Sequence, residues 1–312
     1  MVGIVILNYN NIEDTCACVD SIFKHCDPSQ FKINLVDNNS KQQVKDFIRE
    51  YCRSNYSSYF NVIEDVENNV VLKKLNYVTS SKNEGYAKGN NIGVSLFSKD
   101  TDINYILILN NDIILTMDIL LPLKKYLCEN PMCGVVSSLL YDKNGNICYE
   151  CARKEKGLLD LLVRSTILGK IPCFDKKTYE NYILYDNKEL LQDDVVPIAL
   201  PSGSCMMFRK EVFEEIGRFD PNTFLYFEED ILWSKLKQRG YSSAMLPKVA
   251  CIHLGAMSTS KANSSVIREA YLNSLWYYVN KYSNVPKLLY PIILLHLTLS
   301  KIKAYYKNRK YE

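Results

Sequence analysis

No stretch of this sequence approaches the roughly 20 consecutive apolar residues that a membrane-spanning helix needs, so no transmembrane segment is expected. The first residues, Met1 to Leu7, are apolar but lack a basic lead and a small-residue cleavage site, which argues against a secretory signal. Internal repeats and low-complexity linkers are missing. Neither sign of charge is in large excess. Lys and Arg number 38 against 35 Asp and Glu, a net of +3, too mild to argue for nucleic acid. The chain has neither a phosphate loop ending in Gly-Lys-Ser/Thr nor the glycine spacing of a dinucleotide fingerprint. It shows no Ser-His-Asp or Cys-His arrangement of the kind that activates a nucleophile. Disorder is excluded by an apolar content of 47% over 312 residues, because low apolar content is what keeps chains unfolded. Eleven cysteines are an odd number with no export signal, and read as reduced cytosolic thiols.

What is present is a repeated pattern. Val2 to Leu7 is a continuous apolar run stopped by Asn8-Tyr9-Asn10, as expected of a buried parallel strand. Further strands are expected at 31–36, Phe31-Lys32-Ile33-Asn34-Leu35-Val36, before Asp37-Asn38-Asn39-Ser40, and at 105–109 before Asn110-Asn111-Asp112. Shorter strands are predicted at 76–79 and 134–138, and helices at 14–25, 44–51, 85–97 and 119–129. Strands alternating with helices predict crossover units and a Rossmann-like, mostly parallel α/β sheet. Ligands of such sheets sit outside the carboxyl ends of the strands. Three strand ends here carry Asn8/Asn10, Asp37/Asn39 and Asn110/Asp112. Turn and cap preferences explain any one of these clusters; all three at one edge point to a site. Residues 141–197 break the periodicity and read as an inserted, less regular region. Strand character resumes at 199–208 and 244–252, with a helix over 228–239 between them. From Asn273 onward the chain is helical, with interruptions expected at Pro286 and Pro291.

Several residues suit particular chemistry. Gly85, Gly89 and Gly93 are four apart and share one helical face. Close backbone packing and anion binding at a helix start are both open for them. Asp112 at a strand end suits a divalent cation holding a diphosphate. Glu228-Glu229-Asp230 opens a helix, where the dipole also favours acids. Glu229 shares a stripe with Trp233 and Leu236, so it is expected to face the interior or a cleft, followed by Glu228. Asp230 shares a stripe with Ser234 and Lys237 and is expected to be solvated. A carboxylate among apolar neighbours has a raised pKa, which suits a general base. His253 ends a strand-like run, as a structural residue or as a Mn2+ ligand. Cys148 and Cys151 form a CxxC with Cys128 and Cys133 upstream, but the second pair has the wrong spacing for zinc.

Taken in order, these stretches resemble the inverting glycosyltransferases of family 2, which have the GT-A fold, and most closely their rhamnosyltransferase-like branch. The similarity runs from about residue 2 to about residue 283. It is carried by Val5 to Asn10, Val36 to Ser40, Asn83 to Gly93, Leu109 to Asp112, Pro201 to Met207, Ile216 to Asp220, Phe224 to Asp230 and His253-Leu254-Gly255. The resemblance implies a nucleotide-diphospho-sugar donor, a UDP- or dTDP-sugar with rhamnose among the candidates. The acceptor would be a glycan or a lipid-linked glycan in surface polysaccharide biosynthesis, such as capsule or O-antigen. Asn8, Asn10, Asp37 and Asn39 would contact the nucleoside, with Tyr9 nearby. Asn83, Gly85, Lys88 and Asn91 would lie near the donor. Asn110-Asn111-Asp112 stands where the family has an Asp-x-Asp-like motif. Its first acid is Asn here, so Asp112 would be the main carboxylate ligand of Mn2+ or Mg2+, with His253 approaching the metal or diphosphate. The family's Glu-Asp pair aligns with Glu228-Glu229 or with Glu229-Asp230, and Glu229, common to both, would be the base.

The implied organisation is a GT-A domain over 1–255 and a helical C-terminal region over 256–312. Within the domain, 1–115 is the nucleotide-binding half, 141–197 the acceptor side and 198–255 the half with the base. Leu288 to Leu299 is apolar, and Lys301, Lys303, Lys307, Arg309 and Lys310 follow. Residues 286–312 thus suit peripheral docking on an anionic membrane, or packing against the domain or against a second copy in a homodimer. A cytoplasmic enzyme, at the inner face of the membrane in the first case, is expected. Two other functions compete. A sugar nucleotidyltransferase would carry a basic Gly-rich loop after the first strand, where this chain has Asn8-Tyr9-Asn10-Asn11. A non-catalytic scaffold of a polysaccharide-assembly complex would not need both Asp112 and Glu229.

Overall fold

In a computed structural model of the chain, residues 1–64, 71–157, 160, 171, 192–255 and 264–308 are described. The strands in chain order are Val2–Asn8 (β1), Phe31–Asp37 (β2), Phe60–Ile63 (β3), Leu75–Thr79 (β4), Tyr105–Asn110 (β5), Ile113–Leu115 (β6), Cys133–Asp142 (β7), Ala152–Arg153 (β8), Val196–Ile198 (β9), Leu200–Pro201 (β10), Cys205–Arg209 (β11) and Ser242–His253 (β12). The helices are Glu13–His25 (α1), Gln42–Asn55 (α2), Gly85–Phe97 (α3), Leu120–Glu129 (α4), Lys210–Glu215 (α5), Glu228–Gln238 (α6), Ser264–Lys281 (α7) and Tyr290–Asn308 (α8).

A ten-stranded sheet runs β3-β4-β2-β1-β5-β11-β7-β12-β6, with β9 also on β12. The β3-β4-β2-β1-β5 half is parallel throughout. In the other half β7 and β12 are parallel, and β11, β6 and β9 run against their neighbours. The strands of the parallel half are buried: Ile4, Ile6, Ile33, Leu35, Leu107 and Leu109 lie in one core beneath α1 and α2. Register brings the polar strand ends level. Asn8 sits opposite Asp37, Asp37 opposite Thr79, and Leu7 opposite Asn110.

Helix α3 crosses the other face of β1. A Cβ on Gly93 would lie 2.5 Å from Val5 and one on Gly89 2.6 Å from Leu7. These two glycines serve close packing, one of the two readings that their spacing left open.

The sequence pattern misses β3, β6 and α5, which are too short to display a period. It runs β10 and β11 together, although a turn at Ser202-Gly203-Ser204 separates them. Pro291 does not interrupt a helix. It stands in the first turn of α8, where a missing N–H leaves no hydrogen bond unmade. Leu272, Leu275 and Val279 of α7 and Ile293 and Leu297 of α8 share a core with Phe227 and Ile231, so these helices are joined to the start of α6. Most of 141–197 lies outside the described residues; its edges supply β8 and β9. Among the described residues the cysteines are free and no three His, Cys, Asp or Glu gather as a metal cluster. No described helix is long and apolar enough to cross a membrane.

Candidate active site

At the carboxyl ends of β1 and β2 the chain turns through left-handed backbone at Asn10 (φ 54°) and Asn39 (φ 63°), a conformation Asn tolerates better than most residues. Buried Asn8 donates to Asp37 Oδ2 at 2.9 Å and accepts from the Thr15 hydroxyl at 3.0 Å. Asp37 Oδ1 accepts from the Ser40 N–H at 2.8 Å. Asn10 Oδ1 accepts from the Lys41 N–H at 2.8 Å, Asn39 Oδ1 from Lys45 Nζ at 3.1 Å, and Tyr9 is exposed. Asn111 is buried, and its amide donates to Thr15 Oγ1 at 2.8 Å. Asn38 escapes sequence reasoning. It is buried, donates to Asn83 Oδ1 at 2.9 Å and accepts from the Glu84 N–H at 2.9 Å, tying the β2 end to the start of α3. Its only signal is its place inside Asp37-Asn38-Asn39.

Gly85 opens α3 with φ +77°, and a Cβ there would lie 2.2 Å from the Phe224 carbonyl oxygen. That oxygen accepts from the Tyr86 N–H at 2.8 Å. Gly85→Ala is therefore expected to cost about 2–4 kcal/mol, read as a lower urea midpoint at unchanged slope. An unmoved midpoint would contradict the clamp. Lys88 is exposed and 3.7 Å from Glu84. The Asn91 amide grips the Phe219 backbone, donating at 2.9 Å and accepting at 3.3 Å. It braces the loop that leads to α6.

Asp112 and His253 meet because β6 starts just after Asp112 and runs against β12, with Ile113 opposite His253. The Leu254 N–H donates to the Asp112 carbonyl at 2.9 Å, and His253 Nε2 is 3.3 Å from Asp112 Oδ2. Burial opposes charge on the imidazole, but hydrogen bonds to Asp112 and Cys148 outweigh it and push His253 up to about 9. The second carboxylate oxygen, Asp112 Oδ1, is buried with no hydrogen-bond partner. A hard oxygen donor left unused beside an imidazole fits a Mn2+-type cation that keeps other positions for water and phosphate. To ligate, His253 must first give up its proton.

The turn at Gly203-Ser204 joins this edge to the acids of α6. The Asn110 N–H donates to the Ser204 carbonyl at 2.9 Å, and the Gly203 N–H donates to Glu229 Oε1 at 3.0 Å. The Tyr86 hydroxyl donates to the Gly203 carbonyl at 2.5 Å. Arg153 approaches the same Glu229 oxygen, Oε1, at 3.3 Å. Tyr226 (φ 74°) and Phe227 (φ 68°) precede the acids in left-handed backbone, a strain of about 1–3 kcal/mol each. Phe227 is held there by the Tyr278 ring at 5.4 Å and by Lys156 Nζ, 4.5 Å from its own ring centre.

Two expectations about these acids are corrected. Burial does press Glu229 upward, but the Arg153 guanidinium and the Gly203 N–H overcome it and hold the carboxyl below its usual range. Asp230 is not solvated: it is buried, with Lys156 Nζ at 2.7 Å. A segment remote in sequence covers the face that the helical stripe left to solvent. Glu228 is the acid that rises. Burial first, then the neighbouring Glu229 and Asp230, push it up to about 8, and its Oε1 is buried without a partner. Arg153 and Lys156 go unmarked in the sequence because they lie in the aperiodic 141–197 region. Tyr86 was within reach, as the aromatic beside the glycine that opens α3.

A pH dependence follows. Removing the Arg153 charge raises the Glu229 pKa, so more of this carboxylate is protonated at low pH. Arg153→Gln is expected to move the acid limb of kcat/KM upward by about one pH unit, with most of the rate recovered at high pH. An unmoved limb would contradict the pairing.

Residues 3–217 match the family model described as glycosyl transferase family 2, from β1 past α5. The chain is 25% identical over 153 residues to an N-acetylglucosaminyl-diphospho-decaprenol L-rhamnosyltransferase of Mycobacterium tuberculosis. That alignment covers 49% of this chain and 48% of the relative, so the chain spans about half of that protein's length. It is 26% identical over 235 residues to the rhamnosyltransferase WbbL of Escherichia coli, covering 71% of this chain and 82% of WbbL. The structure matches the mannosyltransferase PcManGT from Pyrobaculum calidifontis, solved in complex with GDP-Man and Mn2+, with a TM-score of 0.55 at 16% identity. That match covers 97% of this chain and 71% of PcManGT, and the fold the two share is GT-A. By its strand order, its polar sheet edge and these matches, the chain belongs to glycosyl transferase family 2.

Proposed function

We propose that this protein moves a sugar from a nucleotide-diphospho-sugar to an acceptor hydroxyl with inversion at the anomeric carbon. Support comes from the Gly203-Ser204 turn, which borders the Asn110-Asn111-Asp112 strand end on one side and Glu229 on the other. Two donors hold one oxygen of Glu229, which orients the carboxylate so that it can take the acceptor's proton.

On this reading the sheet edge of Asn8, Tyr9, Asn10, Asp37 and Asn39 receives the nucleoside. Asn83, Gly85, Lys88 and Asn91 lie on the donor side of α3, and Asn110 and Asn111 flank the diphosphate. Asp112, with His253, would hold Mn2+ or Mg2+, which when bound neutralises charge developing on the leaving diphosphate. Glu229 removes the acceptor hydroxyl proton. The oxygen attacks the anomeric carbon from the side opposite the diphosphate, a new carbon–oxygen bond forms, and the bond to the diphosphate breaks. No covalent enzyme intermediate is needed. Glu228 keeps its proton at neutral pH, so it is suited to donate a hydrogen bond rather than to accept a proton.

Residues 1–255 form the transferase domain in this proposal, with the acceptor side in 141–197, and 256–312 is a helical appendage. The relatives named as rhamnosyltransferases support rhamnose, from a dTDP- or UDP-donor, as the sugar. The decaprenol-linked substrate in the name of the mycobacterial relative supports a lipid-linked glycan acceptor, used at the cytoplasmic face of a membrane in surface polysaccharide biosynthesis. The test is transfer from a panel of UDP- and dTDP-sugars to a lipid-linked glycan, with the product's anomeric configuration read by NMR. Inversion is expected. Retained configuration, or a trapped glycosyl-enzyme, would overturn the proposal.

A further inference from the structure

Helix α8 has two apolar faces, and among the described residues its own protein covers only one of them. Ile293, Leu297 and Ser300 are buried, and the two apolar residues pack with Leu272, Leu275 and Val279 of α7. Ile292, Leu295 and Leu299 lie on another face, 57%, 61% and 56% exposed, and Leu288 in the turn just before is 87% exposed. Positions 288, 292, 295 and 299 follow the helical spacing of three and four, so they form one stripe. Folded proteins seldom leave a row of large aliphatic side chains in water without a use for it.

Charge identifies the occupant. Lys287 stands at one end of the stripe, and Lys301, Lys303, Lys307, Arg309 and Lys310 follow the other end. From Pro286 to Tyr311 there is no Asp or Glu. A second copy of this segment would bring the same six cations against a single acid, Glu312 at the last position. An uncharged peptide would fill the stripe but make no use of the lysines. A bilayer surface with anionic headgroups satisfies both features. Aliphatic side chains enter the acyl boundary, while lysines reach up to the phosphates.

We infer that α8 docks this protein on an anionic membrane surface, with Leu288, Ile292, Leu295 and Leu299 inserted and the flanking cations on headgroup phosphates. The inference rests on the α8 face and on none of the donor or base assignments. A sedimentation assay therefore tests it whether or not the transferase reading survives.

The experiment is co-sedimentation of the full chain with phosphatidylcholine vesicles, with and without phosphatidylglycerol. Binding to the anionic vesicles is expected, weakening as salt is raised. The double variant Leu295→Ser, Leu299→Ser changes only exposed side chains, so its thermal melt is expected to stay with that of the parent. The lipid concentration needed for half-binding is expected to rise about tenfold or more. The triple variant Lys301→Gln, Lys303→Gln, Lys307→Gln is expected to lose the preference for phosphatidylglycerol, again by about tenfold or more. Equal binding to both vesicle types, no sedimentation of the parent chain, or no change in either variant would overturn the inference. So would a dimer, seen by light scattering, that the leucine variant dissolves while neither protein binds vesicles. In that case a second copy covers the stripe.

Discussion

Glu229→Gln is expected to reduce sugar transfer by about a thousandfold or more while the donor still binds. The amide oxygen can still accept from the Gly203 N–H, so the turn between β10 and β11 keeps its shape. What is lost is the ability to take a proton, together with the anionic partner of Arg153. The guanidinium then faces a neutral amide in a half-buried setting, and a modest loss of stability is expected alongside the loss of rate. The measurement is kcat with the donor saturating, next to donor affinity. The comparison that decides is Glu228→Gln. Glu228 carries its proton at neutral pH already, so its amide is nearly the same chemical object and most of the rate is expected to survive. If Glu228→Gln is inactive and Glu229→Gln transfers at the normal rate, the base has been placed on the wrong residue.

Asp112→Ala is expected to reduce transfer by about a hundredfold to a thousandfold or more, the scale of losing an electrostatic stabiliser of a leaving group. It removes the carboxylate with the unpartnered buried oxygen and the hydrogen bond that keeps His253 charged. The Asp112 backbone carbonyl still accepts from the Leu254 N–H, so the strand end is expected to remain in place and the melting temperature to change little. The signature that separates this variant from Glu229→Gln is donor binding. Loss of Asp112 weakens both binding and turnover, whereas loss of Glu229 affects turnover alone. Full transfer by Asp112→Ala would contradict a metal role for it.

Much of this fold was open to reading because β1, β2 and β5 are buried on both faces. Their sequences are mostly apolar, continuously so in β1 and broken in β2 only by Lys32 and Asn34, and their ends change abruptly to Asn and Asp. The parallel register then placed those ends side by side, as the alternation with helices implied. Contacts made by distant chain segments left no local trace. Asp112 meets His253 through the antiparallel pairing of three-residue β6 with β12, and no spacing rule joins positions so far apart. Glu229 illustrates a different limit. Its helical stripe put it first among the three acids to face the interior, yet Glu228 and Asp230 are the buried ones, and the sign of its pKa shift was set by Arg153, delivered from a segment with no periodicity. Asp230 failed for the same reason, since Lys156 comes from that same segment.

The pairing of one acid with the diphosphate and the other with the acceptor is tested most directly by thermal denaturation with nucleotide diphosphates. The parent chain, Asp112→Ala and Glu229→Gln would each be melted with UDP or dTDP, with and without Mn2+. A ligand that binds only the folded state raises the midpoint by mass action. The expected result is a Mn2+-dependent rise in the parent chain and in Glu229→Gln, and none in Asp112→Ala. A full rise in Asp112→Ala, or its loss in Glu229→Gln, would contradict the division of labour between the two acids.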